Sequence, residues 1–168
     1  LTRHVIAETI QQRHVFPMSS QFHIGINVAA SHFRNGTLLK DLNQYWFSQH
    51  PIQQLVIELT ERDALLDVDY RVVRELNRLG VKLAIDDFGT GNSSLSWLEK
   101  LRPDVLKIDK SFTSAIGTDA VNSTVTDIII ALGKKLNIEL VAEGVETQAQ
   151  AQHLRRHGVH LLQGFLRS

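Results

Sequence analysis

The sequence predicts an α/β fold with a parallel sheet, and within that class an incomplete (β/α) barrel that lacks its first strands. Short segments rich in Val, Ile and Leu alternate with longer segments of helical periodicity, an order typical of βα repeats. The short segments are apolar almost throughout, as parallel strands are when helices cover both faces. Six such segments are present in 168 residues, whereas a complete barrel has eight strands in about 250 residues. A doubly wound open sheet is the competing architecture, but no glycine-rich phosphate loop follows the first predicted strand.

The predicted strands are close to the usual length of about 5 to 6 residues. They run from Ile24 to Ala29, Leu55 to Leu59, Lys82 to Ile85, Val105 to Ile108, Glu139 to Ala142, and Leu161 to Phe165. No linker, repeat or low-complexity segment divides them, so we predict one domain over residues 1–168.

Apolar residues at helical spacing predict the helices between these strands. The predicted apolar faces are Leu1, Val5, Ile6 and Ile10; Leu38, Leu42 and Trp46; Leu65, Val72, Leu76 and Leu79; and Val121, Val125, Ile128, Ile129, Leu132 and Leu136. A short helix from Ser93 to Leu101 precedes Pro103. Thr147 and Gln150 have the spacing of a capping box and predict the start of the last helix.

The amino-acid composition of the chain excludes several classes of function. The chain has 18 basic and 18 acidic residues and a formal net charge of zero, so the basic footprint of a protein that binds long nucleic acid is absent. The absence of cysteine excludes disulfides and thiolate metal sites and fits a cytoplasmic domain. The apolar stretches are far shorter than the roughly 20 residues that span a bilayer, so we expect no direct membrane contact by this domain. Because residue 1 is Leu within a helical pattern, we expect a longer parent protein, which an inner-membrane anchor could hold.

Polar side chains stand at the carboxyl-terminal end of every predicted strand. They are Asn27, Glu58 with Glu61, Asp86 with Asp87, Lys107 with Asp109, Glu143 with Glu146, and Gln163. Active sites of parallel α/β folds gather at that edge. Facing carboxylates repel one another, and a divalent cation relieves that repulsion. Oxygen ligands without cysteine favour Mg²⁺ or Mn²⁺ over zinc.

Lys107 adds a positive charge to this acidic edge. It lies within an apolar predicted strand, where an unpaired lysine is rare. A lysine can orient a water or hold a phosphate oxygen. Acids, an amide and a lysine around two cations are suited to the hydrolysis of a phosphate ester.

Five ordered motifs give the chain a resemblance to a known family. They are Ile57 to Glu61, Asp86 to Gly91, Lys107 to Asp109, Ala142 to Glu146, and Gln163 to Phe165. Together they resemble the motifs of the EAL domain family, the phosphodiesterases specific for cyclic di-GMP. The resemblance implies a TIM-like barrel that cleaves cyclic di-GMP to linear pGpG with two Mg²⁺ or Mn²⁺ ions. Such domains serve bacterial second-messenger signalling.

The resemblance also implies a set of metal ligands. Asn27, Glu58 and Asp86 resemble the ligands of one metal. Asp86 and Asp87 resemble the pair shared with the second metal site, and Asp109 resembles a further acid of that second site.

Other roles follow by resemblance too. Lys107 resembles the lysine that positions the attacking water, and Glu143 resembles the general base or the partner of a metal-bound water. Glu146 and Gln163 resemble outer, substrate-side groups, and Glu61 resembles the glutamate that anchors the loop after Asp87. That loop contains Phe88, Gly89, Thr90 and Gly91, and in the family it couples the metal site to dimerisation.

Three departures from the family pattern affect these expectations. The Glu-Ala-Leu motif is absent, since Glu8, the only glutamate before Asn27, is followed by Thr9. Ala29 replaces a serine, and Asn92 replaces an aromatic residue in the loop. Because the motif supplies a metal ligand, we expect this chain by itself to be inactive or weak.

Two functions remain open for the parent protein. The first is a cyclic di-GMP phosphodiesterase, with an upstream sensor domain and a homodimer through the loop after Asp87. The second is a degenerate EAL domain that acts as a non-catalytic sensor or regulatory module. Retention of every acid and the lysine within the span favours the enzyme. The histidines His50, His153, His157 and His160 show no metal-ligand spacing tied to the strand ends, so we interpret them as surface or core residues.

Overall fold

The computed structural model describes residues 2–12, 15–16, 22–34, 36–47, 55–66, 68–91 and 96–166. Its strands are β1 (Ile24–Asn27), β2 (Leu55–Thr60), β3 (Lys82–Phe88), β4 (Val105–Ile108), β5 (Glu139–Ala142) and β6 (Leu161–Leu162). Its helices are α1 (Thr2–Gln11), α2 (Ala30–Arg34), α3 (Thr37–Asp41), α4 (Glu61–Leu66), α5 (Tyr70–Arg78), α6 (Ser96–Leu101), α7 (Lys110–Thr113), α8 (Val121–Leu136) and α9 (Gln148–Arg156). A π-helical turn, Leu42–Trp46, continues α3.

The six strands form one sheet in the order β1-β2-β3-β4-β5-β6, so each strand lies beside its predecessor in the chain. The pairs β1–β2, β4–β5 and β5–β6 are parallel. The predicted fold class is confirmed: the chain is α/β with the strand order of a TIM-like barrel, and its described residues provide six of the eight strands.

Strand positions follow the prediction closely, but some ends differ. The segments β4 and β5 have the predicted bounds. Strand β3 continues through both aspartates to Phe88, and β1 ends at Asn27 rather than Ala29. The prediction of a strand through Phe165 is wrong, because β6 ends at Leu162 and Phe165 is exposed.

One predicted helix is divided in two. Asp69 caps α5, and its side chain accepts a hydrogen bond from the Arg71 N–H, so the helix begins afresh at Tyr70. Leu65 belongs to the preceding helix α4 and is 44% exposed. The prediction that Leu65 shares a buried face with Val72 is therefore wrong.

The buried face of α8 also differs from the predicted stripe. The residues of α8 that are buried are Thr126, Ile129, Ile130 and Gly133. Val121, Ile128 and Leu136 are instead exposed, by 78%, 60% and 39%. Apolar periodicity predicted the helix correctly, but part of the predicted buried face is exposed to solvent.

By contact density the chain divides into two compact units. The first unit comprises Leu1–Ala84 with Ser94–Arg102. Its core includes Phe33, Leu38 and Trp46, all without solvent exposure. Asp41 is also buried here; it forms an ion pair with Arg3 at 2.9 Å and a hydrogen bond with His32 Nε2 at 3.2 Å. Burial would raise the pKa of Asp41, but the hydrogen bonds from these two residues outweigh it and lower the pKa.

The second unit comprises Ile85–Ser93 with Pro103–Ser168. Helix α8 packs on β5 through Gly133, where a Cβ would lie 2.6 Å from a methyl carbon of Leu140. The predicted capping box at the start of α9 is present: Gln150 N–H donates to Thr147 Oγ1, and Gln150 Oε1 accepts from Thr147 N–H. Among the described residues, no helix combines the length and the apolarity that a bilayer crossing requires.

Candidate active site

The end of β3 lies in the second unit and carries two adjacent aspartates. Asp86 is half-buried, and Asp87 is exposed with a positive φ of 53°. Aspartate tolerates this left-handed conformation better than most residues, and it lets the chain turn at the sheet edge. Thr90 closes the turn, because its hydroxyl donates to the Asp87 carbonyl at 2.9 Å. The local sequence therefore presents two adjacent carboxylates at one strand end.

Lys107 connects two of the strand-end acids. Its Nζ lies 3.0 Å from Asp86 Oδ1 and 2.7 Å from Glu143 Oε1. The lysine side chain is only 10% exposed, and the two carboxylate side chains are 16% and 19% exposed. Glu143 is held at this position because its N–H donates to the Ile108 carbonyl at 3.0 Å. These contacts are charge-assisted and shielded from solvent, so they are stronger than surface ion pairs.

Three carboxylates converge beside the lysine. Asp86, Asp87 and Glu143 each offer an oxygen, and the three oxygens lie within 4.8 Å of one another. Three negative charges around one ammonium leave the cluster with a surplus of negative charge. Hard oxygen ligands at this density fit a divalent cation such as Mg²⁺ or Mn²⁺.

The pKa of Asp87 reports the same crowding. Partial burial raises the pKa of Asp87, and the charges of Asp86 and Asp109 raise it further. Lys107 and Lys110 oppose these effects without cancelling them. A cation bound at this carboxylate would offset the repulsion that raises its pKa.

Asp109 has a structural task as well as a predicted metal role. It caps α7, and its Oδ1 accepts hydrogen bonds from Ser111 N at 2.9 Å and from Ser111 Oγ at 2.5 Å. Its charge still acts on Asp87. One carboxylate oxygen of Asp109 thus caps the helix.

Glycines set the backbone around Glu143 and Gln163. Gly144 has a φ of 63°, and a Cβ there would lie 2.5 Å from the Cβ of Lys110. Gly164 lies against the backbone of Val145, with no room for a side chain. Gln163 pairs with β5 through its N–H, which donates to the Ala142 carbonyl at 2.8 Å. The backbone N–H of Glu146 donates to Gln150 Oε1 at 2.9 Å, so the capping box of α9 also fixes the chain at Glu146.

In the first unit, Asn27 and Glu58 lie opposite each other at the ends of β1 and β2. The Glu58 carboxylate lies over Gly25, and a Cβ at that glycine would collide with Glu58 Oε1. Glu61, the first residue of α4, is buried with 4% exposure. Two predicted metal ligands are thus neighbours, and a glycine makes room for one of them.

The sequence interpretation omitted two features. It gave no role to Gly25, although a glycine inside a strand often marks a close approach by another group. It also did not say which acids contact Lys107, because its two ion pairs depend on tertiary structure. The loop residues Phe88, Gly89, Thr90 and Gly91 are described, and Asn92 lies outside the described residues.

The fold and the acidic strand ends define the class of protein, a TIM-like α/β domain with a candidate metal site at the carboxyl ends of its strands. A comparison with family models then matches the EAL domain over residues 1–168. The chain belongs to the EAL domain family, as the motifs predict.

Relatives and solved structures agree with this assignment. The chain is 83% identical over 166 residues to the probable cyclic di-GMP phosphodiesterase PdeD of Escherichia coli K12, which covers 99% of the chain and 31% of PdeD. It spans about a third or less of the curated relatives PdeD, PdeN and MucR. A cyclic di-GMP complex of the phosphodiesterase PaMucR superposes with a TM-score of 0.86 at 36% identity, covering 98% of this chain and 68% of that one. A manganese and cyclic di-GMP complex of Klebsiella pneumoniae BlrP1 superposes with a TM-score of 0.77 at 29% identity, covering 97% and 41%.

Proposed function

We propose that this chain is the catalytic part of a phosphodiesterase that hydrolyses cyclic di-GMP to linear pGpG. The observation that carries the proposal is the placement of Lys107 between Asp86 and Glu143, inside a cluster of three carboxylates. The relatives named as cyclic di-GMP phosphodiesterases support the choice of substrate. A cyclic dinucleotide contains phosphodiester bonds. Such a bond can be hydrolysed by a water that carboxylate-bound cations activate.

The proposed cofactor is a pair of Mg²⁺ or Mn²⁺ ions. Asp86 and Asp87 would hold them within the second unit, and Asp109 would add a further oxygen. In the first unit, Asn27 and Glu58 are register partners at the ends of β1 and β2, and both resemble metal ligands of the family. The surplus of negative charge among the carboxylates supports a divalent cation, and the manganese complex of BlrP1 shows that a relative takes such an ion. When bound, the ions would lower the pKa of water and stabilise charge on the phosphate.

In the proposed mechanism, Glu143 accepts the proton of the attacking water. The Lys107 ammonium contacts Glu143 Oε1 at 2.7 Å and so fixes the position of the carboxylate that would accept that proton. The lysine ammonium has three N–H donors, of which two are directed to Asp86 and Glu143. By resemblance to the family, we assign to this ammonium the positioning of the attacking water or of a phosphate oxygen. Because Lys107 and Glu143 contact each other, loss of either residue should disturb both the position of the water and the transfer of its proton.

The outer groups have supporting roles in this proposal. Glu146 and Gln163 would contact substrate or water. Gly89 in the loop that follows Asp87 packs against Phe112 and Ile129, since a Cβ there would lie 2.8 and 2.9 Å from their side chains. We propose that this loop, with α8, forms a homodimer contact.

The parent protein is proposed to be a cytoplasmic signalling enzyme with an upstream sensor domain, anchored at the inner membrane. The Glu-Ala-Leu motif is not in this sequence, so we propose that the chain alone is inactive or weak. The second candidate is a degenerate EAL domain that acts as a non-catalytic cyclic di-GMP sensor or regulatory module.

Hydrolysis and binding assays separate the two candidates. Cyclic di-GMP would be incubated with the chain and Mg²⁺, then Mn²⁺, and pGpG would be quantified beside the Glu143→Gln variant. Turnover that the variant loses supports the enzyme. If the chain is inactive, the same pair is assayed after extension through the upstream strands. Metal-independent binding without hydrolysis by the extended protein would favour the sensor and contradict the proposed function.

A further inference from the structure

A second cluster of potential metal ligands lies on the helices of the second unit. Asp127 is on α8, His153 is on α9, and His157 immediately follows α9. His153 Nε2 lies 3.1 Å from Asp127 Oδ1, and the two imidazole rings have centroids 4.3 Å apart. One ligand atom from each residue lies within 4.8 Å of the other two. None of the three belongs to the strand-end site.

We propose that Asp127, His153 and His157 form a binding site for a transition-metal ion, with Zn²⁺ as the fitting ion. Zinc bonds of about 2.0 to 2.1 Å place neighbouring tetrahedral ligands roughly 3.3 Å apart. The separation of 3.1 Å between His153 Nε2 and Asp127 Oδ1 is close to that edge length. Small side-chain rotations would bring the third ligand to the same distance. A water would take the fourth position, since the cluster is at the surface.

The backbone fixes the tautomer that a metal requires. Nδ1 of His157 lies 2.8 Å from the carbonyl oxygen of His153. A carbonyl oxygen only accepts hydrogen bonds, so Nδ1 carries the proton and donates it. Nε2 of His157 then keeps its lone pair for a metal. A backbone carbonyl that orients a ligating imidazole in this way is common in zinc sites.

The helix also provides the correct spacing. His153 and His157 are four residues apart and lie on the same side of the last turn, as two histidines do in helical zinc sites. Ala151 and Leu154 fill the buried side of α9, and this leaves the histidine side partly exposed to an incoming ion. The contact of α8 with the end of α9 is close at Gly158, where a Cβ would lie 3.2 Å from Lys134 Cε.

The chemistry of this cluster separates it from the strand-end site. Two imidazoles and one carboxylate suit Zn²⁺, whereas the strand-end site offers oxygens, which suit Mg²⁺ or Mn²⁺. The helix cluster would therefore prefer Zn²⁺, and the strand-end site would prefer Mg²⁺ or Mn²⁺. An ion at the helix site would tie α8 to the end of α9 and stabilise the folded chain by binding it in preference to the unfolded chain.

The test is a Zn²⁺ titration of the whole chain against a chromogenic chelator, with excess Mg²⁺ present to occupy oxygen sites. The variants are His153→Gln and His157→Gln, and the matched control is His160→Gln, an exposed histidine three residues further on. Glu143→Gln tests whether zinc is at the strand-end site instead. Circular dichroism without zinc confirms that each variant is folded.

We expect one Zn²⁺ site whose affinity falls about tenfold or more in each of the two cluster variants. His160→Gln and Glu143→Gln should keep the wild-type affinity, and zinc should raise the Tm of the wild type but not of His157→Gln. Wild-type affinity in His157→Gln, or equal losses in His160→Gln, would overturn the proposal. So would a wild-type chain that binds no zinc, which would leave the cluster as a histidine–aspartate ion pair.

Discussion

Replacement of Lys107 by methionine should reveal the repulsion within the carboxylate cluster. Methionine fills a similar volume but removes the ammonium that contacts Asp86 at 3.0 Å and Glu143 at 2.7 Å. Loss of one partner from a fully buried ion pair costs about 3–5 kcal/mol. The two carboxylates retain 16% and 19% exposure, so water compensates part of that loss. We expect the free energy of unfolding to fall by about 2–3 kcal/mol in the absence of metal.

The assay is urea denaturation at neutral pH of wild type, Lys107→Met and the control Lys135→Met, each without metal and with Mg²⁺. Lys135 is exposed on α8, so its replacement should change the free energy by less than about 0.5 kcal/mol. Mg²⁺ should restore part of the stability that Lys107→Met loses, because the cation replaces the missing positive charge at the carboxylates.

Two results would refute this reasoning. If Lys107→Met were as stable as wild type without metal, the lysine would not be compensating the acids. Suppose instead that Mg²⁺ stabilised Lys135→Met and Lys107→Met by the same amount, so that Lys107→Met recovered none of its lost stability. The carboxylates would then not be the cation site.

Three further predictions follow from the structure. Gly25→Ala should displace the Glu58 carboxylate and weaken Mn²⁺ binding, measured by calorimetry, about tenfold, whereas unchanged affinity would remove Glu58 from the ligand set. The pKa of Asp41 is lowered below its ordinary value of 3.8, so the stability that it contributes is present above that pH and is lost as the pH falls through the lower, folded-state pKa. In Asp41→Asn, the denaturation midpoint should fall less than in wild type between neutral pH and pH 2. An equal fall in the two proteins would contradict the role assigned to Asp41. Ile128→Glu should convert a dimer to a monomer in light scattering if exposed residues of α8 form the contact, and a dimeric variant would exclude that face.

Sequence patterns located β2 and β4 because these strands are buried over nearly their whole length. Fully buried strands read as apolar runs, and β4 and β5 begin and end where their runs do. The end of β6 was not predictable, since Phe165 is apolar in sequence but 88% exposed in the structure. Hydrophobicity alone does not say whether a strand finds a partner.

The strand-end acids were predictable for a related reason. Each follows an apolar run, and parallel strands carry such residues to a common edge. Asp86 and Glu143 come from different strands, yet both contact Lys107. The geometry of these contacts could not be predicted, because it depends on side-chain conformations across strands.

The helix faces and the histidine cluster depended on tertiary packing. Thr126 is buried in α8 while Ile128 is exposed, an inversion that periodicity does not foresee. His153 and His157 have a recognisable spacing on one helix, but Asp127 reaches His153 across 26 positions of sequence. The sequence interpretation of these histidines as surface or core residues considered only spacing tied to the strand ends, so it did not include a partner from another helix.

The most direct test of the central claim is the rate at which the full-length parent protein converts cyclic di-GMP to pGpG with Mn²⁺, compared with its Glu143→Gln and Lys107→Met variants. Proton transfer by a positioned side chain contributes about 10²–10⁴-fold to a rate. The proposed mechanism predicts that each variant loses at least about a hundredfold in kcat while the folded protein still binds cyclic di-GMP. A rate within a fewfold of wild type in Glu143→Gln would contradict it.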